Sequence, residues 1–144
     1  MEKEASKPAK YSFSQFSELN LLNEQAIVYA ARKGIAASVF YHLAETINMS
    51  EKGLASIINL SARTLSNYKE SKKNLEPIYA EHLLKLVLLF EQGQSIFGSM
   101  DEFNQWLKKT SWNRTEKPID LLTTPGGVNL VSQEISQLAQ GYPA

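Results

Sequence analysis

Between residues 61 and 74 the chain places four basic side chains, Arg63, Lys69, Lys72 and Lys73, against one acid, Glu70. Thr64, Ser66 and Asn67 stand among them, behind a capping Ser61. Guanidinium and ammonium groups neutralise phosphates, and hydroxyl and amide side chains hydrogen-bond phosphates or base edges. The formal net charge of the whole chain is zero, so this local excess of positive charge is a patch rather than a general property. It is the footprint expected of a surface that meets double-stranded DNA. Ser61, Arg63, Thr64, Ser66, Asn67, Lys69, Lys72 and Lys73 are therefore the candidate DNA-binding residues.

Catalytic chemistry finds little support. There are no cysteines, which excludes disulfides, thiolate metal sites and a cysteine nucleophile. His42 and His82 fall on separate predicted helices, and His42 beside Glu45 reads as a surface pair. Thr123, Thr124, Pro125, Gly126 and Gly127 could pass for a phosphate loop, but the stretch lacks a lysine and a preceding strand. No metal-ligand cluster or nucleophile motif appears, so neither a catalytic site, a metal nor a cofactor is expected.

The elements that must carry the basic face are legible around it. A helix-turn-helix is predicted at about 50–70. Leu54 and Ile58 lie one turn apart on its first helix, and Ala55 is small where the second helix must cross. Asn59 tolerates the positive φ that the turn needs. Leu60 plugs the turn, Ser61 caps the second helix, and Leu65 and Tyr68 face inward. Two core helices joined by a tight turn would share much of this pattern. The polar and basic outward face of the second helix argues against that alternative.

The remaining periodicity is helical throughout, and the fold class is all-α. Helices are expected at about 20–32 with Asn20 as cap, at 37–47, at 50–58 and at 62–70. A long one starts at Pro77, with Ile78, Leu83, Leu84, Leu86, Val87 and Phe90 as its stripe. A further helix covers about 101–108 behind Ser99. The last runs from about 128 to 139 after a Pro125, Gly126, Gly127 turn, and Gly141 ends it. Residues 1–17 read as a mobile tail, although Tyr11, Phe13 and Phe16 could let part of it dock. The domain reading is a tail at 1–17, a helical region at 18–90 and a second unit at 91–144. Composition is ordinary for a soluble protein, with 43% hydrophobic and 21% charged residues. No signal peptide or membrane span is evident, and a reducing cytoplasm fits the lack of cysteine.

The C-terminal segment is unusual in its charge. From Gly126 onward one acid, Glu134, and no base interrupts it. Tyr142 is an amphipathic ring that could anchor a partner or fold back on the body. Trp106 reads as core, and Trp112 in a polar loop as the better exposed anchor.

These segments resemble a known family. Residues 50–69, SEKGLASIINLSARTLSNYK, are similar to the helix-turn-helix of antitoxins in the Xre/MbcA/ParS group. In residues 76–107, Gly98, Trp106 and Leu107 match the family's long helix and the stretch after it. In residues 117–141, Pro118, Leu121, Leu122, Thr124, Gly127, Val131, Leu138 and Gly141 match its C-terminal toxin-binding motif. The chain departs from the family at Ser66, Asn67 and Tyr68, where arginines are frequent. The resemblance implies the antitoxin of a type II pair, neutralising by direct binding a RES-domain toxin that acts on NAD, by degradation or by ADP-ribosylation. It also implies a homodimer that represses its own operon by binding operator DNA. The candidate toxin-contact residues are Leu121, Leu122, Gly127 and Val131 from the matched motif, with Gly126 beside them and Trp112 and Tyr142 as the anchors read from the residues themselves. A stand-alone transcriptional regulator without a toxin is the alternative, and a helical adaptor that binds no DNA is a third reading.

Overall fold

The long central helix organises the molecule. In the computed structural model, which describes residues 12–110 and 114–141, eight α-helices follow an N-terminal 3-10 helix, Phe13–Leu19. They are α1 (Glu24–Lys33), α2 (Ser38–Thr46), α3 (Glu51–Ile58), α4 (Ala62–Ser71), α5 (Pro77–Phe97), α6 (Met100–Leu107), α7 (Pro118–Leu121) and α8 (Pro125–Ala139). Among the described residues there is no strand, and a single isolated bridge pairs Ala36 with Asn74. The all-α expectation holds.

Helix α5 is buried on several sides: Ala80, Leu83, Leu84, Leu86, Val87, Leu89 and Phe90 are all almost inaccessible. A helix apolar around most of its circumference needs partners on most of its circumference. Helices α1, α6 and α8 supply them. Gly93 lets α6 approach: a Cβ there would lie 2.3 Å from the Phe103 ring. Phe103 then meets Phe90 edge-on at 5.4 Å and stacks with Trp106 at 6.1 Å between centroids. Trp106 is half-buried against this cluster, in line with its core assignment.

Several expectations need correction. The cap of α1 is Asn23, whose side chain accepts from the Ala26 N–H at 2.8 Å; Asn20 instead closes the 3-10 helix in a left-handed conformation. Phe16, from the segment read as tail, is buried in the core, so that segment docks through the residue that allowed it to. Tyr11 lies outside the described residues. Ile78 does not join the stripe of α5 and stands 69% exposed. Pro125, Gly126 and Gly127 are not a turn but the first turn of α8, with Pro125 in the position where a missing N–H costs nothing. Helix α5 continues to Phe97, so a division between residues 90 and 91 cuts a continuous helix whose two ends share one core.

Candidate nucleic-acid interface and partner surface

The helix-turn-helix forms as its residue types dictate. Ser50 caps α3 by accepting from the Gly53 N–H at 3.0 Å. Leu54, Ala55 and Ile58 are buried, and Asn59 ends α3 at φ 66°. Ser61 caps α4, accepting from the Thr64 N–H at 3.0 Å and donating its own proton to the Thr64 hydroxyl at 2.9 Å. Each such cap contributes about 1 kcal/mol. Leu65 is fully buried and Tyr68 half-buried, and they fix which way α4 faces.

The opposite face of α4 is open. Ser61, Arg63, Asn67 and Lys69 are exposed, and so are Lys72 and Lys73 beyond the helix end. Thr64 and Ser66 are half-buried, and Thr64 is engaged with the cap. Two of the lysines rest on tyrosines. Lys69 Nζ lies 4.6 Å from the centroid of Tyr41 on α2, and Lys73 Nζ lies 5.0 Å from that of Tyr68. These cation–π contacts hold the ammonium groups at the surface, where phosphates would meet them. Lys72 turns the chain in a left-handed conformation at φ 56°. Leu75 then returns to the core, its N–H donating to the Ile35 carbonyl at 2.9 Å. Tyr41 was not legible as part of this face, because its role depends on α2 lying beside α4. Burial raises its pKa, and Glu51 and Glu70 add to the effect.

The segment assigned to toxin contact divides by burial. Leu122 and Val131 are fully buried, and Gly127 is buried against the backbone, where a Cβ would come within 1.7 Å of the Leu121 carbonyl oxygen. They hold the surface in place without forming it. Gly126 is exposed and Leu121 half-buried. Trp112 and Tyr142 lie outside the described residues. Leu130, which sequence reasoning passed over, stands 57% exposed on α8, flanked by the exposed polar residues Asn129 and Gln133. Arg114 pairs with Glu134 and so neutralises the one charge on α8. The outward face of α8 is uncharged and carries a large apolar side chain, unlike that of α4.

Residues 26–88 match the antitoxin Xre-like helix-turn-helix domain family. The match includes the capped α3 and α4 and most of α5. Over this domain the chain is similar to Xre-type antitoxins. It is 28% identical to the Prs ADP-ribosylating antitoxin of Sphingobium sp. (strain YBL2), over 76% of each chain. Among its described residues, no helix of the chain is long and apolar enough to cross a membrane.

The two candidate surfaces meet at residues 121–124. Nε2 of the buried His82 on α5 lies 2.7 Å from the Leu122 carbonyl oxygen and, with a carbonyl as partner, must carry the proton. The Asn59 amide donates to the Thr123 carbonyl at 2.9 Å. Burial lowers the pKa of His82, the bond to Leu122 opposes this, and nearby Lys85 lowers it further. A histidine whose folded pKa lies below its unfolded value of about 6.5 takes up its proton more readily in the unfolded chain. Its contribution is therefore present above about pH 6.5 and is lost as pH falls toward the folded pKa. Urea unfolding should show wild-type stability falling between about pH 7.5 and about pH 5.5. His82→Gln, which can still donate to Leu122, should show a smaller fall. Equal pH profiles for the two proteins would refute this account.

Proposed function

We propose that this antitoxin binds operator DNA as a homodimer through α4, represses its own operon, and neutralises a RES-domain toxin through the α7–α8 face. The observation that carries the reading is the two-sidedness of α4. Leu65 and Tyr68 lock one side to the core, while Arg63, Asn67 and Lys69 stand exposed on the other, and Lys72 and Lys73 continue the charge past its end. A helix held this way presents the same side chains in the same register to each DNA half-site. Two copies related by a twofold axis would read a palindromic operator.

Toxin contact is proposed for Leu121, Gly126 and Leu130, with Trp112 and Tyr142 as further anchors. The relative's name joins an antitoxin to ADP-ribosylation, a reaction that consumes NAD. That favours, of the two toxin chemistries implied by the family, group transfer over simple degradation.

The test separates the two surfaces. Arg63→Ala combined with Lys69→Ala should weaken operator binding by about tenfold or more in a gel shift. Complex formation with the toxin encoded by the adjacent gene should be unchanged. Wild-type affinity for the operator should also fall steeply with salt, because each phosphate contact releases counterions. Salt-independent binding, or parallel loss of both activities, would refute the assignment.

A further inference from the structure

The junction at 121–124 is held residue by residue. The Leu121 carbonyl abuts Gly127, the Leu122 carbonyl accepts from His82, the Thr123 carbonyl accepts from Asn59, and the Thr124 hydroxyl caps α8 by accepting from Gly127 at 3.0 Å. Three of these four contacts are made by α5 or by α8 itself. Asn59 belongs to the turn of the helix-turn-helix, two residues before the cap of α4. Its left-handed backbone ends α3 and its side chain reaches a carbonyl that lies 64 positions away in sequence. A shift of α4 on a ligand moves the turn, and the turn is tied to the start of α8.

We propose that Asn59 is a positioning residue that couples the DNA-binding helix to the toxin-facing helix through its bond to the Thr123 carbonyl. The inference rests on the functional reading above, since it takes α4 as the DNA contact. Coupling through such a contact is reciprocal: what DNA does to α8, a partner on α8 does to DNA affinity. The coupling element is a direct bond from the turn before α4 to the residue before the cap of α8, not a diffuse pathway. One exposed amide–carbonyl bond supports a modest effect, a change in affinity of about fivefold.

The test uses the isotope-labelled full chain and a duplex from its own upstream region. In the wild type, adding duplex should shift the amide resonances of Thr64, Ser66 and Asn67, and also those of Thr123, Thr124, Gly126 and Gly127. Asn59→Gly keeps the left-handed turn without strain and removes the donor. In that variant the α4 resonances should still shift, while those at the junction stay in place. Asn59→Asp, which also tolerates the left-handed conformation and cannot donate, should behave the same way and serves if the glycine variant is unstable. Junction shifts of equal size in wild type and both variants would overturn the proposal. So would shifts confined to α4 in the wild type. If neither set moves, the DNA-binding reading itself fails and this inference falls with it.

Discussion

Gly127→Ala should unfold the C-terminal part of the chain, while Gly126→Ala, one position earlier, should leave it intact. Both glycines lie in the first turn of α8, and alanine is the better helix former at either position on propensity alone. Packing reverses the outcome at one of them. A Cβ on Gly127 would sit 1.7 Å from the Leu121 carbonyl oxygen and 3.2 Å from the Thr124 cap hydroxyl. The obstacle is backbone, not the end of a flexible side chain, so α8 must move off α7 to make room. That would pull Val128 and Val131 out of register in the core and separate Leu122 from His82. A cost of about 3 kcal/mol or more follows, a drop of roughly 10 °C in Tm for a chain of this size. A Cβ on Gly126 meets nothing within 4 Å. Gly126→Ala should be neutral or stabilising by about 0.5 kcal/mol. Thermal unfolding of the two variants decides it. Similar melting temperatures would show that α7 and α8 are not locked as described.

The contrast shows where the sequence was and was not legible. The helix-turn-helix could be read because each of its determinants is local: a cap bonds three residues ahead, and a left-handed Asn59 needs no distant partner to be recognised. Ser61 and Ser99 were legible as caps for the same reason. Asn20 and Asn23 were both able to cap α1, and only the docking of Phe16 decides between them. Leu22, between them, is apolar but stands 81% exposed and outside the helix. Gly127 looked like a turn residue, because the carbonyl that forbids a side chain there comes from a separate helix. Leu122 and Val131 matched the toxin-binding motif, but matching positions do not reveal whether a residue touches a partner or supports those that do. Leu130 fell off the periodic stripe of α8 for the very reason that it points outward. The Asn59 bond to Thr123 joins residues too far apart in sequence for any pattern to show.

On the proposed function, truncation after Leu138 should abolish toxin neutralisation while leaving the chain folded and able to bind DNA. The fold side of this expectation is set by burial. The core residues of α8 are Val128, Val131 and Ile135, with Leu138 half-buried behind them. Ala139, Gln140 and Gly141 are exposed and contribute no buried apolar area. The pairing of Arg114 with Glu134 and the Gln92 bonds to Ser132 and Ser136 all lie before the cut. The DNA side is set by distance along the chain, because α3 and α4 end far upstream. The toxin side rests on the proposed function: the mouth of a NAD-using site would be concave, and a segment with no charged side chain that carries Tyr142 and Pro143 can enter it without desolvating a charged side chain. Tyr142→Ala should show a milder form of the defect, a loss on the order of 1–3 kcal/mol in toxin affinity if the ring is a buried anchor. A growth-rescue assay with the cognate toxin, run beside a gel shift on the operator, tests both halves at once. Rescue by the truncated chain would mean that the end is not the inhibitory element, and would move the decisive contact to Leu121, Gly126 and Leu130. Loss of both DNA binding and growth rescue would instead show that the last residues serve the fold.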